Sequence, residues 1–93
     1  MLFSIGKLVA TPGAMSMMQE QGIDASQLIR RHVKGDWGNL DREDIKANKD
    51  ALVSGARIFS VYEFDHAKLY VITEAKDDNE VRQSTCILLP SEY

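Results

Sequence analysis

The spacing of apolar residues changes near Arg57. Upstream they recur mostly three and four apart, the repeat of a helix with one buried face; downstream they alternate, the repeat of a strand. The opening stretch, Leu2 to Ala10, is an exception. Phe3 and Ile5 fall on one side while Leu2, Leu8 and Val9 break the alternation, so a strand is expected with an irregularity at Gly6, either a bulge or a close approach of another backbone. Helix signals follow in order. Thr11 can cap, Pro12 suits a first helical position where its missing N–H is no loss, and Gly22 ends a helix running to Gln21. Asp24, with Gln27 three residues on, starts a second helix in the manner of a capping box. Leu28, Ile29, His32 and Val33 follow at helical spacing, and Gly35 ends it. Asp41 caps a third helix with acids in its first turn, Ile45, Asn48, Ala51 and Leu52 on its inward stripe, and Ser54-Gly55 at its end.

Beyond Arg57, Ile58–Phe64 and Lys68–Glu74 are rich in strand formers and read as a hairpin closed by Asp65-His66-Ala67. Ala75 to Gln83 is charged and polar and reads as a loop. Ser84–Leu89 is a last strand, stopped by Pro90. The order β-α-α-α-β-β-β predicts an α+β fold: a three- or four-stranded antiparallel sheet with two to three helices packed on one face, residues 1–93 forming a single domain.

Composition removes several function classes. A hydrophobic content of 44% argues against disorder, and a net charge of −3 gives no general electrostatic footprint for nucleic acid while falling short of the dense acidity of a DNA mimic. The single cysteine, Cys86, excludes an internal disulfide and sits in the apolar run Cys86-Ile87-Leu88-Leu89, where it reads as a small buried hydrophobe. No basic segment followed by a long apolar run opens the chain, and no stretch reaches the roughly 20 apolar residues of a membrane span, so a cytoplasmic protein is expected.

Candidate chemistry gathers at one junction, Arg31-His32-Val33-Lys34-Gly35-Asp36-Trp37-Gly38-Asn39-Leu40-Asp41. Trp37, the only tryptophan, either folds under the loop as a plug between two helices or anchors a partner, as tryptophan does at interface hot spots. His32, Asp36 and Asn39 share the stretch and are taken with Trp37 as partner-binding candidates. Arg30, Arg31 and Lys34 join them as a basic patch able to meet an acidic protein face or, with less support, a phosphate backbone. His32 at a helix C-terminus is in addition a candidate for a bond to a local carbonyl or to Asp36. Asn48, on an inward stripe, must find partners and is read as structural, bonded to the Trp37 loop or the first strand. Glu74 reads as a solvated strand end or an ion-pair partner of Arg57. Met15, Met17 and Met18 read mainly as core, with an adaptable surface as the alternative. Two histidines and one thiol at unrelated spacing make no metal motif, no phosphate-cradling glycine loop is present, and neither metal nor cofactor is expected.

Several patches carry a resemblance: Val9-Ala10-Thr11-Pro12-Gly13-Ala14, His32-Val33-Lys34-Gly35-Asp36-Trp37-Gly38, Asn48 with Ala51-Leu52 and Gly55, Val71-Ile72-Thr73-Glu74-Ala75, and Ile87-Leu88-Leu89-Pro90-Ser91-Glu92-Tyr93. Together they resemble a family of small bacterial proteins of plasmids and other mobile elements, labelled plasmid-related protein or type I restriction subunit M. The resemblance implies a one-domain bacterial protein. The restriction label conflicts with the chain, which is too short for a methyltransferase sheet and lacks an Asn/Asp-Pro-Pro-aromatic motif. The segment Lys76–Gln83 departs from the family pattern. The expected function is a non-enzymatic protein-interaction module of a mobile element, with modulation of a host defence system (restriction or CRISPR) as its specific form. The alternatives are a homodimeric plasmid or phage maintenance protein, self-associating through a sheet edge or the Trp37 loop, and a toxin-like small nuclease using His32, Asp36 and Glu74.

Overall fold

A computed structural model describes residues 1–93. The elements are β1 (Lys7–Ala10), α1 (Pro12–Gln21), α2 (Ala25–Lys34), α3 (Arg42–Ser54), β2 (Ile58–Phe64), β3 (Ala67–Thr73), β4 (Ser84–Leu88) and a closing 3-10 turn at Pro90–Glu92. The helices begin where the caps place them. Thr11 accepts from the Ala14 N–H, Asp24 from Ser26 and Asp41 from Asp44, and each helix ends at a left-handed glycine. No helix is long and apolar enough to cross a membrane.

The sheet has four strands in the order β1-β4-β3-β2. The meander β2-β3-β4 is antiparallel, as expected, but β1 runs parallel to β4, so the sheet is mixed rather than wholly antiparallel. The reason is the connection. Three helices separate β1 from β2, and a crossover of that length can carry the chain back to the end of the sheet where β1 began, which a tight turn cannot. β1 is also shorter than the alternation suggested, because Leu2–Gly6 lies outside the ladder. At Gly6 (φ +61°) an added Cβ would stand 2.3 Å from the Arg82 carbonyl oxygen, so the irregularity there is a close backbone approach.

Register sorts the side chains onto two faces. Ile58, Ser60 and Tyr62 align with Thr73, Val71 and Leu69, and Thr73 and Val71 continue to Thr85 and Ile87 on β4. This face takes the helices: Ala14 and Met18 of α1 and Leu28 of α2 close over Tyr62, Leu69, Val71 and Ile87. Ala51 of α3 packs with Trp37 against Ile58. The opposite face carries Val9, Phe59, Val61, Tyr70, Ile72, Cys86 and Leu88 by the same alternation. There Tyr93 lies over Phe59 and Tyr70, with ring centroids 6.1 and 5.8 Å away, and Arg57 donates to its hydroxyl at 2.8 Å.

The two outer strands meet different fates. On β2, the backbone groups of Phe59 and Val61 point away from β3, and both residues are paired. Asn48 donates from Nδ2 to the Phe59 carbonyl (2.7 Å) and accepts the Phe59 N–H at Oδ1 (3.0 Å), so one buried amide imitates a neighbouring strand. The Asn39 N–H donates to Val61 O (2.7 Å), and the Val61 N–H donates to Trp37 O (3.1 Å). Asn48 thus bonds to β2 rather than to the Trp37 loop or β1. Asn48→Ala leaves both Phe59 groups without partners and should cost about 2–3 kcal/mol. Asn48→Asp, nearly the same shape, should cost at least as much, since it removes the donor and sets a carboxylate against a carbonyl. Thermal unfolding of the two variants checks this; an Asn48→Asp protein as stable as wild type would show that the amide does not hold the edge.

Candidate functional site

The junction between α2 and α3 divides into buried and exposed residues. Trp37 is 6% exposed, enclosed by Ala51 and Ile58 with Phe3, Leu40, Ile45 and Leu52 around it. The indole is therefore a plug beneath the loop, and it offers no anchor to a partner in this structure. Gly38 explains how the loop turns over it. Its φ is +75°, and an added Cβ would stand 1.9 Å from the Val61 carbonyl oxygen, so only glycine lets the loop backbone lie on the edge of β2.

His32 is fully buried, and it too is withdrawn from any partner surface. Its Nδ1 lies 2.6 Å from the Ser60 hydroxyl and its Nε2 2.9 Å from that of Thr73. Thr73 meets Thr85 at 2.7 Å, and Thr85 donates to the Ile5 carbonyl at 2.8 Å. The proton order follows from the last link. A carbonyl only accepts, so the single Thr85 hydrogen goes to Ile5 and Thr73 must donate to Thr85. The Thr73 oxygen then accepts from His32, which puts the ring hydrogen on Nε2, and Ser60 donates to Nδ1. Burial pushes the imidazole down to about 4, so the ring is neutral, as this order requires. Both nitrogens are occupied. The expected bond to a local carbonyl or to Asp36 is replaced by hydroxyls far away in sequence.

The exposed residues form a polar strip over a shallow depression of about 290 Å³ beside β2, lined by Arg31, Asp36, Asn39, Tyr62 and Glu63. Arg31 grips Asp36 with two bonds, Nε to Oδ2 at 2.7 Å and Nη2 to Oδ1 at 3.2 Å, and its guanidinium lies 4.4 Å from the centre of the Tyr62 ring. That grip holds the Asp36 carboxyl below its usual range. Tyr62 donates to the Asp36 carbonyl at 2.7 Å, and burial pushes its phenol up to about 12. Asn39 donates to Glu63 at 2.7 Å, and Lys68 pairs with the same carboxylate at 3.4 Å. Arg30 and Lys34 are exposed, but Arg31 is committed to Asp36, which reduces the basic patch to two free cations. Glu74 is exposed, and no hydrogen bond or ion pair joins its side chain to His32, Asp36 or Arg57. The three residues considered for nuclease chemistry are not assembled. No group of three or more His, Cys, Asp or Glu side chains is placed to hold a metal ion.

Two features escape sequence reasoning. Arg82, inside the polar stretch Ala75–Gln83, is 3% exposed and donates to the carbonyls of Ala56 (2.7 Å), Glu74 (2.9 Å) and Ala51 (3.1 Å). It ties the end of α3 to the end of β3, and burial lowers its proton affinity. Nothing in a run of charged residues marks one of them as internal. Around it the loop is ordered by Asp77, whose carboxylate accepts from the Asn79 and Val81 N–H groups and from the Gln83 side chain.

The second feature is the free edge of β1. Lys7 donates to the Gln83 carbonyl just before β4 and Thr11 to that of Ile87, each at 3.0 Å, so the alternation of a parallel ladder turns the N–H and C=O groups of Leu8 and Ala10 outward. No hydrogen bond from a loop or a side chain reaches them. Beside the edge lies a groove of about 440 Å³ lined by Leu8, Ala10, Met15, Met18, Ile23 and Ile87. Leu8, Val9 and Met15 are 42, 39 and 58% exposed. Of the three α1 methionines, Met18 is core and Met15 is surface, with Met17 half-buried. Compared with family models, with curated proteins and with solved structures, the chain matches none.

Proposed function

We propose that this protein is a non-enzymatic interaction module that binds a protein partner by adding a strand to the open edge of β1. The observation that carries the reading is the contrast between the edges. The fold closes β2 with Asn48 and the Trp37–Asn39 loop, whereas β1 keeps unpaired backbone groups next to an apolar groove. Bare edges are templates for pairing, and strand addition draws affinity from main-chain bonds and selectivity from neighbouring pockets. The polar strip supports this reading by default: its cation and its carboxylates are already satisfied by one another. The setting proposed for the module is a bacterial mobile element, with modulation of restriction or CRISPR interference as its task; this part rests on the sequence resemblance.

Ala10→Pro tests the reading. It removes an outward N–H and leaves the bonds to β4 in place, because residue 10 does not use its N–H there. The expected result is a folded variant, with wild-type Trp37 emission, that no longer retains a protein captured by wild type from bacterial lysate. It should also lose any effect of the wild-type protein on restriction or CRISPR interference in cells. Equal capture and equal effect by the two proteins would place binding elsewhere.

A further inference from the structure

We infer that the strand added at β1 is β1 of a second copy of this chain, an inference that rests on the edge reading above. The edge is short. Gly6, at φ +61°, breaks it on one side, and Pro12 opens α1 on the other, so only Leu8 and Ala10 present outward backbone groups. A long foreign peptide finds no further main-chain bonds here. A second copy makes the same bonds and brings its own apolar groove, so two grooves leave water together.

The side chains suit a two-fold arrangement. Antiparallel pairing about an axis at Val9 sets Leu8 opposite Ala10 of the other copy, and each such pair exchanges both of its N–H···O=C bonds. Leu8 and Ala10 lie on the helix-bearing face, where the groove is. A large side chain therefore meets a small one over an apolar hollow, and the exposed, flexible Met15 stands ready to fill the remainder. On the other face Val9 meets Val9. Lys7 falls opposite Thr11, so no like charges are opposed along the strand, and the only charged residue of α1 is Glu20 near its far end. The sheet becomes continuous through both copies, and its remaining outer edges are the two β2 strands that the fold already covers.

The test is the mass of the protein in sedimentation, over a concentration series, for wild type, Val9→Glu, Val9→Lys and an equimolar mixture of the two variants. Wild type is expected to be a dimer. Each charged variant alone sets like charges against each other at the axis and should associate on the order of a hundredfold more weakly. The mixture should recover the dimer, because opposite charges then face across the axis. Trp37 emission identical to wild type shows that each variant is folded. A wild type that stays monomeric overturns the inference. So does a dimer indifferent to Val9→Glu, or a pair of monomeric variants that fail to recombine. If wild type is monomeric and Ala10→Pro still abolishes partner capture, the edge takes a strand from a different protein and only the second copy is excluded. If Ala10→Pro changes neither mass nor capture, the edge reading fails as well.

Discussion

His32→Leu is expected to lower stability by about 2–4 kcal/mol and to remove a pH dependence that wild type shows between pH 6.5 and 4. The first effect follows from the hydroxyl chain. Without the imidazole, the Ser60 hydrogen loses its acceptor and the Thr73 oxygen loses a donor, both in the interior. The second effect follows from the ring's low proton affinity. In the unfolded chain the ring takes up a proton near about pH 6.5, whereas in the folded protein it resists protonation to about 4. Between these values the unfolded state binds more protons, so stability is fully present above pH 6.5 and falls as pH drops toward 4. The loss attributable to this one group approaches roughly 3 kcal/mol at the lower limit. Urea unfolding at a series of pH values should show a slope in wild type that is smaller in His32→Leu by that amount. A ring nitrogen spectrum should show the hydrogen on Nε2 at pH 7. Imidazole resonances of His32 that titrate near pH 6.5, or a variant with the wild-type pH slope, would contradict the buried neutral chain.

Gly38→Ala should be nearly as damaging, at about 3 kcal/mol, although it adds one methyl group. Its Cβ would occupy the space of the Val61 carbonyl and press on the Tyr62 ring, and the left-handed backbone adds strain for any residue but glycine. The loop must then leave β2. Its departure breaks the bonds between Asn39, Trp37 and Val61 and uncovers the indole. Trp37 is the only tryptophan, so the emission maximum reports this directly. A red shift in the native state, a lower unfolding midpoint and a tendency to aggregate through the uncovered edge are expected together. Wild-type emission and midpoint in Gly38→Ala would mean that the loop does not close β2.

Both predictions turn on residues that the sequence singled out, His32 and Trp37, and in both the role came from elsewhere in the chain. Trp37, between Gly35 and Gly38, had two readings that its neighbours could not separate. What separates them is Ala51 on α3 and Ile58 on β2, which supply the cavity that receives the ring. His32 sits at helical spacing beside Leu28 and Ile29, so its inward direction was legible, but its partners lie 28 and 41 residues away. Asn48 was legible as a buried amide in need of partners, and the strand it serves was not. Arg82 was not legible at all, because its surrounding residues are charged and only the carbonyls of Ala51, Ala56 and Glu74 make its burial tolerable.

What the sequence determined by itself is local. Thr11, Asp24 and Asp41 each reach an N–H two or three residues ahead, and Gly22, Gly35 and Gly55 each end a helix through their own backbone freedom. The alternation after Arg57 likewise sets which side chains of β2, β3 and β4 share a face, since the strand repeat needs no distant information. The parallel seat of β1 against β4, the proton order from Ser60 to Ile5, and the closed and open edges of the sheet were decided only by the tertiary structure. Each of these depends on which backbone groups remain unpaired once the strands have assembled. That is a property of the assembled sheet, and no window of the sequence contains it.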